Sequence, residues 1–290
     1  MTTTTQQSSR RQILTKVPEV TVYFWLIKVL CTTVGETFAD NLNQQLSLGL
    51  TNTSLVMGGL LVVCLVFQFR ASRYVPGIYW LAVVLISVVG TLITDNLTDN
   101  LGISLIRTTV VFTIVLALVF CGWYASERTL SIHSIFTLRR ESWYWLAILF
   151  TFALGTAAGD LTAEKLAVGY WRSALLFAGL IAVITGLHYG LKARAAVSHA
   201  RHTTNAVLAF WLAYILTRPL GASIGDYLSQ AKGDGGLGLG TVVTSVIFLA
   251  SILILVSYLS ITHTDNIVTE RSAAEAVPVP EPARARLLHD

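Results

Sequence analysis

Four aspartates stand at one position of a pattern that the chain repeats four times. Each follows a glycine by five residues and comes directly after a small residue. The four are Asp40, Asp95, Asp160 and Asp226. Carboxylate oxygens are the ligands that hard cations such as Mn²⁺, Mg²⁺ and Ca²⁺ prefer, whereas thiophilic metals prefer sulfur. The pattern therefore predicts that these four aspartates are metal ligands, provided that the fold brings them together.

Three of the four aspartates have a second carboxylate four residues away. The pairs are Glu36 with Asp40, Asp95 with Asp99, and Asp160 with Glu164. Residues four apart share one face of a helix, and two like charges there repel unless a cation neutralises them. In the fourth repeat the residue four after Asp226 is Gln230, so we expect a weaker or different site there.

A longer internal repeat surrounds the carboxylates. A tryptophan, itself preceded by another aromatic residue, stands ten residues before each glycine, and successive copies are 55, 65 and 66 residues apart. The aromatic pairs are Phe24-Trp25, Tyr79-Trp80, Tyr144-Trp145 and Phe210-Trp211. Recurrence at this length indicates tandem structural repeats.

The composition is that of a membrane protein. Of 290 residues, 54% are hydrophobic and 12% charged, against about 25% charged in a typical soluble domain. The apolar residues form eight segments, each close to the ~20 residues that a helix needs to cross the hydrocarbon core. They lie near 20–39, 52–69, 76–95, 105–125, 142–160, 171–191, 205–226 and 239–261. The sequence predicts an all-α integral membrane protein with eight transmembrane helices, arranged as four tandem parallel helical-hairpin repeats.

Because each repeat crosses twice, every first helix enters from the same side and the four aspartates share one depth. With tryptophan as the interfacial anchor, the aspartates lie about 22 Å along the helix and Glu36 about 16 Å, near the midplane. Charges at such depth need partners or a wet cavity. We expect Arg218 to be a counter-ion for a carboxylate, with a plain structural ion pair and a role in transport both open, and Lys28 to extend toward the membrane surface.

Each glycine shares a helix face with the small residue four positions later, an arrangement that lets membrane helices approach closely. The pattern predicts that these small residues pack the first helices together. The glycines concerned are Gly35, Gly90, Gly155, Gly159, Gly221 and Gly225.

The distribution of Lys and Arg predicts the orientation. Eleven lie on the side of the N-terminus before the C-terminal tail, and four on the other, so both termini are expected in the cytoplasm. We expect a cytoplasmic tail over 1–18, a membrane domain over 19–263, and a disordered cytoplasmic tail over 264–290. The repeats within the membrane domain are placed at about 19–73, 74–138, 139–203 and 204–263.

Other kinds of site are not indicated. No removable signal peptide is expected, and the three cysteines are scattered without metal-ligand or disulfide spacing. Phosphate-loop and hydrolase motifs do not occur in the sequence. We therefore expect no enzyme activity and no cofactor, and the positive net charge reflects topology rather than nucleic-acid binding.

The first repeat resembles a family of bacterial polytopic inner-membrane proteins described as uncharacterised membrane-anchored proteins. The resemblance covers about 16–263 and is specific at the residues Lys16-Val17-Pro18-Glu19-Val20-Thr21, Phe24-Trp25, Lys28, Thr32-Thr33-Val34-Gly35-Glu36-Thr37 and Asp40. It implies a location in the bacterial inner membrane and implies no activity, cofactor or site.

The sequence favours a transporter for a divalent cation. Glu36 would be a proton-coupled gate, and Thr32, Thr33 and Asn41 would add neutral oxygens to the four aspartates. Two alternatives stay open: a membrane scaffold in which the small residues only pack helices, and a proton-coupled transporter of a small organic cation. The lipid bilayer and the transported cation are the expected partners, and self-association is possible.

Overall fold

The computed structural model describes residues 15–45, 49–193 and 199–265. Eight helices in these ranges are long and apolar enough to cross a membrane. They are α1 (Val22–Gln45), α2 (Gly49–Arg70), α3 (Pro76–Asp95), α4 (Leu105–Glu127), α5 (Leu138–Asp160), α6 (Tyr170–Ala193), α7 (His199–Ser229) and α8 (Thr241–Thr262). The prediction of an all-α membrane protein with eight spanning helices in four repeats is confirmed. The largest difference in boundaries is at α7, which begins at His199 and so includes residues that the sequence placed in a loop.

The first helices of the four repeats form an inner ring, in the order α1, α3, α5, α7 and back to α1. Half or more of the residues in their most apolar stretches are buried, against at most 28% in α2, α4, α6 and α8. The second helices lie outside the ring and expose large apolar side chains along their length. These exposed faces contact the lipid bilayer, because that is the environment in which such surfaces are stable.

Each second helix packs mainly on the first helix of the following repeat and makes little contact with its own hairpin partner. Thus α2 packs on α3, α4 on α5, α6 on α7, and α8 returns to α1. Because the last repeat covers the first in the same way, the ring is closed.

Glycines set the distance between neighbouring inner helices. A Cβ atom on the glycine of each repeat would overlap a residue of the next inner helix. In all four cases this residue stands three positions before the glycine of its own helix. The contacts are Gly35 with Ser87, Gly90 with Phe152, Gly155 with Arg218, and Gly221 with Thr32. One contact therefore recurs four times around the ring, in the same direction, and gives the inner helices an approximate fourfold arrangement.

The two ends of the bundle differ in charge. We call the end where α1, α3, α5 and α7 begin the basic end, and the opposite one the aspartate end. The basic end has Lys16, Arg70, Arg73, Arg128, Arg139 and Arg140. At the aspartate end, two π-helical turns, Asn96–Asn100 and Leu161–Lys165, prolong α3 and α5.

The chain segment before α1 is part of the folded bundle. The ammonium of Lys16 donates hydrogen bonds to the Glu141 carboxylate at 2.7 Å and to the Phe69 carbonyl at 2.9 Å. Residues 15–18 are buried, unlike the tail that the sequence predicts over 1–18. The rest of that predicted tail lies outside the described residues.

The last described residue also lies at the basic end. The Tyr74 hydroxyl donates to the carboxylate of Asp265 at 2.6 Å, and the Glu19 amide donates to the Asp265 carbonyl at 3.0 Å. Residues 15 and 265 are thus on the same side of the bundle, as an even number of crossings requires. The predicted tail lies outside the described residues from position 266 onward.

Candidate cation site

Side chains from the four inner helices meet in layers, because positions four residues apart lie on one helix face. Counted from the glycine of each repeat, the layers fall at −11, −7, −3, +1 and +5. The members are Phe24, Tyr79, Tyr144 and Phe210; Lys28, Val83, Ile148 and Tyr214; Thr32, Ser87, Phe152 and Arg218; Glu36, Thr91, Thr156 and Ala222; and Asp40, Asp95, Asp160 and Asp226. Only the first and the last of these layers have the same kind of residue in every repeat.

An aromatic layer closes the axis toward the basic end. The hydroxyls of Tyr79 and Tyr144 are hydrogen bonded at 2.5 Å, and the rings of Phe24 and Phe210 have their centroids 6.0 Å apart. Three of the tryptophans beside them pack in the same core rather than facing lipid headgroups as anchors, with exposed fractions of 1%, 3% and 4% for Trp80, Trp145 and Trp211, whereas Trp25 is half-buried.

Arg218 lies at the centre of the ring and is completely buried. Its Nη2 donates to the Glu36 carboxylate at 2.7 Å, to the Thr156 hydroxyl at 2.7 Å and to the Thr91 hydroxyl. These acceptors hold the same repeat position, one residue after the glycine, in the other three repeats. The fourth repeat has the small Ala222 there, so its arginine can reach the other three helices.

Three carboxylates meet next to this arginine. One oxygen each from Glu36, Asp160 and Asp226 lies within 4.8 Å of the other two. Glu36 and Asp226 are 6% exposed and Asp160 is half-buried. Among the described residues these three form the acidic group that could hold a cation, and they come from α1, α5 and α7.

The four-aspartate set predicted from the repeat is therefore only half present in this group. Asp160 and Asp226 belong to it, whereas Asp40 and Asp95 do not, although both are half-buried at the same level of the ring. A carboxylate oxygen of Asp40 accepts a hydrogen bond from Gln230 at 3.4 Å, so the fourth repeat supplies an amide near the first. Glu36, expected to be a gate apart from the ligands, stands among them.

The outer carboxylates lie toward solvent. Asp99 and Glu164 belong to the two π-helical turns and are exposed. Asp99 accepts from the Thr98 hydroxyl at 3.0 Å, and Glu164 accepts from the Tyr170 hydroxyl at 3.5 Å. The helical spacing that paired them with Asp95 and Asp160 does not extend regularly through a π-helical turn, so they form an outer acidic rim of the axis rather than part of the three-carboxylate group.

The neutral oxygens predicted as ligands bond elsewhere. The Thr32 hydroxyl donates to the carbonyl of Thr217 at 3.2 Å, and the Thr33 hydroxyl to that of Val29 at 3.1 Å. The Asn41 amide donates to the hydroxyl of Thr241 in α8 at 3.4 Å. The bonds of Thr32 and Asn41 join helices, that of Thr33 stays within α1, and none of the three residues is a member of the carboxylate group.

Lys28 is buried within the ring and does not extend to the membrane surface as expected. Its exposed fraction is 0%, and its Nζ lies 3.9 Å from the ring centroid of Phe152 and 4.1 Å from that of Tyr214. No hydrogen-bond partner for this ammonium occurs in the described part of the chain. Its neighbours across the ring hold it by cation–π contact.

Thr91 and Thr156 are partners of the arginine that were not predicted from the sequence. A signal for them existed, since both stand at the position that Glu36 occupies in the first repeat. The predicted site rests on the aspartate position, which is the same in all repeats, whereas the partners of the arginine lie at a position where the repeats differ. Phe152 and Tyr214, which enclose Lys28, were missed because aromatic residues in a span are also ordinary packing residues.

The fold and the site together define a multi-pass helical membrane protein whose four repeats surround a polar axis. Four segments match the family model described as Repeat of Unknown Function (DUF347), over residues 23–74, 78–129, 143–194 and 209–265. The chain therefore belongs to this family, which confirms the resemblance to membrane proteins without an assigned activity. None of the curated proteins compared with the chain matches it, and no solved structure does.

Proposed function

We propose that the protein is a membrane transporter for a divalent cation of the Mn²⁺, Mg²⁺ and Ca²⁺ class. The observation that supports this best is the meeting of Glu36, Asp160 and Asp226 inside the ring, with one oxygen of each within 4.8 Å of the others. Oxygen ligands lie about 2.0–2.6 Å from such ions, so two ligands of one ion are at most about 4–5 Å apart. The three oxygens are within that limit.

The charge of the group also fits a divalent ion. Three carboxylates and the guanidinium of Arg218 have a formal sum of −2, which one divalent cation neutralises. A net charge of −2 on buried and half-buried carboxylates is costly, so the group gains free energy from an arriving cation. The sulfur-free ligand set favours hard ions over thiophilic ones.

The ion would enter from the aspartate end. Asp99 and Glu164 are exposed there, Asp40 and Asp95 are half-buried, and Glu36 is buried, so negative charge continues from the surface to the group. Rings of acidic side chains attract cations in this way. Aromatic residues close the axis on the basic side, and transport requires that this side open in another state.

We also propose a cellular location for the protein and the activities that it lacks. Following the Lys and Arg distribution, we place the protein in a bacterial inner membrane with both termini in the cytoplasm. The aspartate end then faces the periplasm. We propose no enzyme activity and no nucleic-acid partner.

The test is Mn²⁺ flux in proteoliposomes that contain the purified protein. Wild type should show saturable flux, and Asp226→Asn should weaken the apparent affinity by removing one charged ligand among three. Asp234→Asn is the matched control, because this aspartate is exposed at the same end of the bundle and lies outside both the group and the outer acidic rim. Absence of saturable flux from well-folded wild type would overturn the transport proposal.

The same measurement separates the alternatives. The glycine contacts around the ring favour a scaffold role, for which the carboxylates would be structural and no ion tested would move. The rings of Phe152 and Tyr214 around an ammonium favour an organic cation, for which methylammonium would compete with Mn²⁺. Flux of Mn²⁺ that methylammonium does not inhibit supports the metal.

A further inference from the structure

Two cations lie on the ring axis, and they differ in their partners. Arg218 is surrounded by acceptors, including the Glu36 carboxylate at 2.7 Å. Lys28 has two aromatic rings beside its ammonium and no hydrogen-bond partner among the described residues. Both side chains are completely buried.

The two cations differ also in what they can do. A guanidinium keeps its proton in proteins, so Arg218 is a constant charge. An ammonium can release its proton and become a neutral amine, as lysines do when they lie away from water. Lys28 is therefore the cation of this axis whose charge can change.

The surroundings of Lys28 contain few other ionisable groups. From α7 it faces Tyr214 and, one layer further, Arg218; from its own helix the nearby ionisable group is Cys31. From α5 it faces the ring of Phe152. The position equivalent to Lys28 in α3 is a valine, and the nearest acid on the same face of α1 is Glu36, two turns away and already paired.

We propose that Lys28 couples proton binding to cation transport, an inference that rests on the proposed transport function. The reaction is the loss of one proton from the Lys28 ammonium to water, which leaves a neutral amine, and its reversal. A divalent ion at Glu36, Asp160 and Asp226 favours the neutral amine by charge repulsion. Protonation of Lys28 in turn favours release of the ion, because the linkage between two sites is reciprocal.

The size of the coupling follows from the distance. Eight residues along α1 separate Lys28 from Glu36, which is about 12 Å of helix. At an effective dielectric constant of ~20, repulsion between a divalent ion and a single charge over that distance changes affinity about a hundredfold. Such a factor is in the range of known couplings between sites.

Two variants with a fixed charge test the proposal. Lys28→Met is always neutral and Lys28→Arg always charged. Across a pH series in detergent, the Mn²⁺ affinity of the wild-type protein should change by a factor about a hundredfold larger than the factor for either variant. Lys28→Met should bind like wild type at high pH, and Lys28→Arg about a hundredfold more weakly.

In proteoliposomes, Lys28→Met should still allow Mn²⁺ to run down its gradient, while an imposed pH gradient should no longer drive accumulation. Accumulation equal to that of wild type would overturn the coupling role and leave the transport function standing. Should both variants misfold, wild type alone decides: Mn²⁺ uptake without proton movement in the opposite direction overturns the inference. No Mn²⁺ flux from wild type would instead refute the proposed function itself.

Discussion

Replacing Arg218 by methionine should destabilise the protein strongly. The arginine is completely buried and donates to a carboxylate and to two hydroxyls on three other helices. Methionine fills a similar volume, but it leaves the Glu36 carboxylate unpaired beside Asp160 and Asp226. Removing one partner of a buried ion pair costs about 3–5 kcal/mol, which corresponds to a fall of roughly 6–20 °C in melting temperature for a chain of this size.

A double variant separates the ion pair from general damage to the core. Combining Arg218→Met with Glu36→Gln removes both charges, so we expect it to recover about 2 kcal/mol or more of the loss. Mn²⁺ should raise the melting temperature of Arg218→Met more than that of wild type, because three carboxylates without an arginine attract the ion more strongly. Thermal unfolding in detergent gives all these values. If Arg218→Met melts like wild type, or if Glu36→Gln does not restore it, the ion pair does not stabilise the ring.

Two further predictions concern packing and pH. Gly155→Ala should lower the melting temperature markedly, since its Cβ would overlap the Arg218 side chain. Gly159→Ala is the control and should be tolerated, because the atom nearest to its added Cβ is 3.5 Å away. Equal effects of the two substitutions would refute the ring geometry. Burial raises the pKa of the Asp265 carboxyl above its ordinary value near 4, so its contribution to stability is present below that value and lost as the pH rises through the folded-state pKa. Asp265→Asn should flatten that part of the pH dependence of melting, and an unchanged slope would contradict the assignment.

The sequence predicts the helices and their repeat well, because both follow from local patterns. Segments of about twenty apolar residues must be helices in a bilayer, and the constant spacing of tryptophan, glycine and aspartate identifies the four first helices. That each second helix packs on the following repeat was not predictable. An apolar second helix could pack on its own hairpin partner or on the first helix of the following repeat, and its hydrophobic periodicity does not say which.

The sequence predicts that carboxylates from several helices meet, but it does not predict which carboxylates these are. The repeat shows that carboxylates from several helices share a level, whereas the two that meet with Glu36 depend on side-chain directions at the end of each helix. Local pattern does not decide membership: a π-helical turn follows both Asp95 and Asp160, yet only Asp160 belongs to the group. Lys28 was misplaced because a lysine near the start of a span normally reaches the surface, and only the closed aromatic layer explains its burial.

A titration of the purified protein with Mn²⁺, followed by the electron paramagnetic resonance signal of the free ion, tests the cation site most directly. We expect one saturable site per chain, with affinity reduced in Asp160→Asn and Asp226→Asn and unchanged in Asp234→Asn, an exposed aspartate outside the group and the outer rim. Equal binding by wild type and the double variant Asp160→Asn/Asp226→Asn, or no binding by folded wild type, would contradict the assignment of a cation site to Glu36, Asp160 and Asp226.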